Sequence, residues 1–387
     1  MSARFAFLIL FWIGLGSLSA RASVDLHAHL FFYDGTGLPL IEKFSGSLAV
    51  KSWNKRIGSK VNLASLNASG ASIVVAALYA HPLFLVSERE SIRRQLVAAD
   101  NLLRADPTWG LAKNAREARV LLGKGRKVLV LALEGASGIL ESEEDLKEFL
   151  DLRGISIVTP LHFMDDDWGG AAFLPGAAVL ASPFAWLRSL LSPTRDAEGV
   201  RLNPQGLTVR GRWLTQALLK RQVWVDLAHS SDATQKDILA LSGQPILYTH
   251  TMLRRYYRAE RGISLTQLAQ VQRHGGFVGL LPSEDMLAGT EVTPAFCQKA
   301  CPSCEGGVPA LLQQYSEIAS QVGSSSVSLG SDINAPLQLL KPECGQALGF
   351  NEYGDLARLF AILETRGGYS AQTAQERFLT LWSKVRP

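Results

Sequence analysis

The sequence predicts an α/β protein, a single (β/α)8 barrel of the metal-dependent hydrolase type, on three observations. First, eight short β-rich runs recur along the chain: SVDLHAHL, SIVVAALY, KVLVLALEG, ISIVTPLH, QVWVDLAH, PILYTH, GGFVGLL and SVSLGSD. Their near-continuous Val, Ile and Leu content is that of strands covered on both faces. Second, stretches with helical spacing separate most of them, such as LTVRGRWLTQALLKR before the fifth run and ISLTQLAQVQRH before the seventh. Alternating strands and helices favour a closed parallel sheet. Third, six of the eight runs carry a metal-binding residue type at or near their C-terminal end, the end where such barrels build active sites.

Taken in chain order, residues 1–22 read as a secretory leader. Arg4 precedes a short apolar run, and Ala20-Arg21-Ala22 matches an A-x-A cleavage site, so cleavage near Ala22 and export to a periplasmic or extracellular space are expected. The run is short for a membrane span, which needs about 20 residues. The barrel domain then occupies 23–387. A net charge of +4, from 39 basic and 35 acidic residues, is too even to suggest a nucleic-acid partner. The basic stretch RRYYRAER at 254–261 reads as a surface turn.

The first run carries Asp25, His27 and His29, which alternate onto one face of a strand. The third ends in Glu134, the fourth in His162, the fifth in His229, the sixth in His250 and the eighth in Asp332. Five of the seven histidines are used in this way. His81 and His274 fall outside the pattern and read as structural. A single rim histidine or carboxylate is ordinarily a hydrogen-bonded neighbour of a turn. Convergence of six strand ends on one rim is what points to a site.

Imidazole nitrogen and carboxylate oxygen suit zinc, bound at about 2.0–2.2 Å. Two such ions about 3.5–4 Å apart can share a bridging carboxylate and hold a hydroxide between them. A glutamate at a strand tip can reach both, which favours Glu134. Asp332 is the candidate general base and acid, His162 the group that polarises a carbonyl or steadies an oxyanion, and Asp25 a residue that could orient a ligand imidazole. No G-x-S-x-G elbow and no H-E-x-x-H motif offers a competing chemistry, and the glycines of GKGRKV precede a strand instead of following one.

With these residues in place, the chain resembles the membrane dipeptidase (renal dipeptidase-like) family of the amidohydrolase superfamily through most of the mature sequence. VDLHAHL stands where that family has Asp-x-His-x-Asp, and LALEG matches its bridging-glutamate strand. PLHFMDDDW matches a Leu-Thr-His segment followed by a tryptophan, PILYTH a Phe-Ser-His strand, and SLGSD a Gly-x-Asp strand. The most specific piece is GLTVRGRWLTQALLKRQVWVDLAHSSDAT. The resemblance implies that His27 and the residue at 29 hold one zinc, Glu134 bridges, and His229 with His250 holds a second. It implies that His162 contacts the substrate near the scissile bond, Asp332 handles protons, and Arg261 binds the substrate's terminal carboxylate, a task its planar fork suits. A homodimer is also implied.

The sequence departs from that pattern in two places. His29 replaces an aspartate, restoring a His-x-His pair, and DINA at 332–335 keeps only the first residue of Asp-Phe-Asp-Gly. The leading expectation is an exported zinc-dependent hydrolase cleaving the amide bond of dipeptides or similar small molecules. A lactone, a cyclic amide or another non-dipeptide substrate is the alternative, and a non-catalytic ligand-binding barrel the third reading. Insertions at about 164–206 and 283–306 would overhang the active-site face. The first contains GGAAFLPGAAVLASPFAWLRSLLSPT, a segment suited to a packed amphipathic helix, a lid, a partner surface or a peripheral membrane contact. Cys297, Cys301, Cys304 and Cys344 would form two disulfides in an oxidising compartment, or a structural zinc site, with the pairing open.

Overall fold

The computed structural model describes residues 22–38, 59–81, 84–174, 187–188, 190–287, 307–335 and 350–387. The leader, most of the apolar insertion and all four cysteines lie outside the described residues.

Among the described residues nine strands form one sheet: β1 (Ser23–Ala28), β2 (Ala71–Tyr79), β3 (Trp109–Leu111), β4 (Lys127–Glu134), β5 (Ile157–Thr159), β6 (Trp224–Val225), β7 (Ile246–Thr251), β8 (Gly276–Leu280) and β9 (Val327–Leu329). Their lateral order is β6-β5-β4-β2-β1-β9-β8-β7, and every pairing in it is parallel. A parallel bridge between Asp226 and Leu247 brings β6 against β7 and nearly closes the ring. The eight barrel strands are those expected from the sequence. The short β3 is additional: it pairs with Lys127–Leu129 of β4, while β5 pairs further along with Ala132–Glu134.

Local chemistry sets the elements that carry the site. All nine residues of β2 are buried, as a strand walled by barrel interior and outer helices requires. The helix Val209–Lys220 starts at Thr208, whose side chain accepts the Gly211 N–H, and buries Leu214, Ala217 and Leu218 at the spacing of one helical face. The helix Leu265–His274 opens with a capping box between Ser264 and Gln267 and stops at Gly275, whose φ of +70° is open mainly to glycine. Two further glycines make room inside the ring: a Cβ on Gly279 or Gly330 would lie 1.9 or 2.1 Å from the Thr249 carbonyl oxygen. The end of β7 is thereby held close to β8 and β9. On the outside, the helix Ala371–Val385 packs Phe378 against Trp224 and Phe277. Among the described residues no helix is long and apolar enough to cross a membrane.

Candidate active site

Parallel pairing brings all C-terminal strand ends to one rim, and seven of the residues singled out above meet there. His27 is the penultimate residue of β1, and His29 follows the strand. Glu134 closes β4, and His250 lies near the end of β7. His162, His229 and Asp332 stand in the turns after β5, β6 and β9. His229 and Asp332 have φ of +63° and +49°, and Asn334 +71°. Left-handed backbone at a non-glycine residue costs of order 1–3 kcal/mol and persists where surrounding contacts fix it. Those contacts are visible: the Asp332 N–H donates to the His27 carbonyl (2.9 Å), and Asn334 Nδ2 donates to that of His29 (3.0 Å).

Glu134 is the centre of the cluster. Its Oε2 lies 3.4 Å from His27 Nε2 and 3.2 Å from His29 Nε2, while its Oε1 lies 3.0 Å from His229 Nε2 and 3.4 Å from His250 Nε2. One carboxylate thus faces two imidazole pairs, one pair on each oxygen. Within the pairs the Nε2 atoms are 3.4 Å (His27, His29) and 2.9 Å (His229, His250) apart. Asp332 Oδ1 reaches His29 Nε2 at 3.1 Å, and His162 Nε2 stands 3.7 Å from Glu134.

The residues fit a cation on the chemistry of this donor set. Among the described residues, neither buried Glu134 oxygen has a hydrogen-bond partner of good geometry, although four ring nitrogens surround them. Uncompensated burial of a carboxylate is costly, and positively charged ions between the nitrogens and the oxygens would offset it. Three overlapping groups have ligand atoms mutually within 4.8 Å: His27, His29 and Glu134; His27, His250 and Asp332; and Glu134, His162 and His229.

The electrostatics agree with that demand for positive charge. Burial alone would raise the Glu134 carboxyl, but its interactions with the surrounding imidazoles, His27 foremost and then His162 and His229, outweigh it and hold it well below the usual carboxylate range. Burial would lower His29, yet Asp332 and Glu134 push it up to about 10. Burial, reinforced by Arg261 and neighbouring imidazoles, holds His229 and His250 well below the ordinary imidazole value. Burial also brings His162 down to about 3.

Arg261 lies at the same rim, buried, with Nη2 3.2 Å from His229 Nε2 and 3.0 Å from the His250 carbonyl. Aromatic rings line the adjoining wall: Tyr79 contacts His162 with centroids 4.2 Å apart, and Phe163 lies 3.7 Å from His162 and 5.5 Å from His229. His81 packs beside Tyr79 and Phe84, and His274 ends its helix in an exposed position.

Asp25 departs from its expected part. Its carboxylate accepts the His27 and Ser331 backbone N–H groups and the hydroxyls of Ser331 and Tyr353, and touches no imidazole among the described residues. It ties β1 to the turn after β9. The imidazole contacts come instead from Thr249, a residue sequence reasoning missed, whose Oγ1 lies 3.2 Å from His27 Nδ1 and 3.0 Å from His250 Nδ1. Asp226, also missed, sits behind Thr249. A carboxylate inside the apolar run QVWVDLAH was the available signal for it.

Comparison with known proteins decides the family. The family described as membrane dipeptidase (peptidase family M19) matches residues 21–380. The chain belongs to the membrane dipeptidase family. Among curated relatives of this family member, the dipeptidase ataJ of Aspergillus terreus is 22% identical over 261 residues, 67% of this chain. The match spans 57% of that relative's length. Among solved structures, a metallopeptidase described as dipeptidase AC superposes with a TM-score of 0.69 at 18% identity, over 95% of this chain and 99% of that one. A metallopeptidase from Rhodobacter sphaeroides, bound to a phosphinate mimic of the dipeptide L-Ala-D-Ala, gives 0.68 at 18% identity, over 94% and 99%. At such identities the superpositions speak for the barrel, and the family assignment stands on the sequence match.

Proposed function

We propose that this member of the membrane dipeptidase family is an exported zinc-dependent hydrolase that cleaves the amide bond of dipeptides or closely similar small molecules. The observation that carries the reading is Glu134, whose two carboxylate oxygens each face a separate pair of imidazole nitrogens. His27 and His29 would hold one zinc, His229 and His250 the second, with Glu134 between them. Two bound zinc ions would supply Lewis acidity at the scissile carbonyl and acidify the attacking water.

The chain's own groups do the rest. Asp332, at the edge of the cluster and partly open to it, takes a proton from the water and delivers it to the leaving amine. His162 is neutral and can donate one hydrogen bond to the carbonyl oxygen as negative charge builds there. Arg261, whose buried Nη1 has no hydrogen-bond partner among the described residues, would bind the terminal carboxylate. Tyr79 and Phe163 shield the site from water beside His162. The dipeptide mimic bound in the Rhodobacter sphaeroides relative supports this substrate class.

The test is a metal count on the purified mature protein together with hydrolysis assays on L,L and L,D dipeptides, β-lactams and lactones. About two zinc ions per chain with dipeptide turnover is the expected result. Two zinc ions with turnover only of lactones or cyclic amides would move the substrate class. A metal-free, inert protein would overturn the reading.

A further inference from the structure

Thr249 has a single hydroxyl proton and three close polar neighbours. Its Oγ1 lies 2.6 Å from Asp226 Oδ2, 3.2 Å from His27 Nδ1 and 3.0 Å from His250 Nδ1. Asp226 is fully buried, and its four contacts are all to donors. Oδ1 accepts the backbone N–H groups of Thr249 (2.9 Å) and Ala228 (3.1 Å), and Oδ2 faces the hydroxyls of Thr159 and Thr249, both at 2.6 Å. Burial raises the Asp226 carboxyl, but two backbone N–H groups and two hydroxyls converge on its oxygens, which act as acceptors throughout, so the Thr249 proton goes to Asp226. What remains on the Thr249 oxygen is acceptor capacity. Both imidazoles must then offer it an Nδ1–H, which leaves each Nε2 with a free lone pair directed at the cluster.

We infer that Thr249, fixed by Asp226, is a positioning residue that sets the metal-binding tautomer of His27 and His250 together, one imidazole in each of the two pairs around Glu134. The two rings lean over this hydroxyl with centroids 3.8 Å apart. Their partners give the contrast: the Nδ1 atoms of His29 and His229 are buried with no hydrogen-bond partner among the described residues. One hydroxyl therefore serves both halves of the centre. This assignment rests on the metal-binding reading given above.

Zinc affinity at each site, measured by competition with a chromophoric chelator, tests it on the full-length mature protein. Thr249→Val keeps the shape and removes the acceptor. Asp226→Asn acts from the other side. Its amide oxygen stays under the two backbone N–H groups, its NH2 faces the hydroxyls, and the Thr249 proton is turned toward an imidazole. Each variant is expected to weaken both zinc sites by about 10–100-fold, the usual effect of losing a group that orients a ligand. Thr249→Ser should restore affinity to within a few-fold of the wild type. Tyr248→Phe removes another buried hydroxyl from β7, bonded to Gln235, and should leave affinity unchanged. Melting of the metal-free proteins reports folding. If one of the two weakening variants fails to fold, the other decides alone. Wild-type affinity in the decisive variant overturns the inference, as does loss at one site only, failure of serine to rescue, or an equal loss in Tyr248→Phe. In those cases the wild type still binds two zinc ions and the functional reading stands. A wild-type protein that binds no zinc overturns both.

Discussion

Arg261 Nη2 lies 3.2 Å from His229 Nε2, the same ring nitrogen that stands 3.0 Å from Glu134 Oε1. A guanidinium keeps its charge under all ordinary conditions and only donates. It therefore competes with a cation for the His229 lone pair. Occupation of the centre would release Nη2 toward the rim, beside Nη1, which has no partner among the described residues. Two adjacent donors on one planar fork match a carboxylate.

Arg261→Lys is accordingly expected to lower kcat/KM for free dipeptides by about 10–100-fold, the scale of a lost charge-assisted hydrogen bond. The loss should fall mainly on KM. Steady-state kinetics with a free dipeptide and its C-terminal amide check this, since the amide should lose little further. An equal loss for both substrates would remove the carboxylate role.

Glu134→Gln replaces the carboxylate whose two oxygens each face one imidazole pair. Bound zinc should fall from about two ions per chain to fewer than one, with dipeptide turnover below about 1% of wild type. Metal analysis after dialysis measures it. Retention of both ions would show that the carboxylate is dispensable.

Asp332→Asn should separate chemistry from metal binding. Its carboxylate touches the cluster at one edge, so zinc content should stay near wild type while kcat drops by about 10²–10⁴-fold, the usual contribution of a general acid–base group. The diagnostic pair is zinc stoichiometry with kcat. Loss of both together would make Asp332 a ligand first.

Zinc binding should release protons near neutral pH. In the metal-free protein Asp332 and Glu134 push His29 up to about 10, so its imidazole is protonated below that pH. A ligand imidazole must be neutral, so binding expels about one proton from His29 at pH 7. Apparent zinc affinity should therefore rise with pH, by about tenfold per unit, and level off above about pH 10. Calorimetric titration in buffers of differing ionisation enthalpy counts the proton. No proton release at pH 7 would contradict the arrangement.

Glu260 anchors the insertion after β5. Its carboxylate accepts the backbone N–H groups of Phe173 (2.9 Å), Asn203 (2.8 Å) and Asp232 (3.0 Å). Glu260→Ala leaves three N–H donors without that acceptor, at about 1–3 kcal/mol for each that stays dry. A lowered melting temperature and faster proteolysis within 164–206 are expected. Unchanged cleavage kinetics would count against this anchor.

Much of the barrel is written locally. Each strand announces itself as a short apolar run and most helices as a capped periodic segment, so the eight barrel strands and the rim positions of His27, His29, Glu134, His162, His229, His250 and Asp332 follow from neighbouring residues alone. The β3 strand was not legible because its three residues, Trp109–Leu111, carry no period to detect. What the chain could not disclose on its own are the partners of its buried polar groups. Asp25 looks like a neighbour of His27 in a strand, yet three of its four hydrogen bonds among the described residues go to Ser331 and Tyr353, 306 and 328 positions away. Thr249 reads as an ordinary strand residue until closure brings it against His27, 222 positions distant. Strand periodicity is a property of adjacent side chains and survives in one dimension. Hydrogen-bond satisfaction inside a closed ring depends on which strand ends meet, and only the three-dimensional fold decides that.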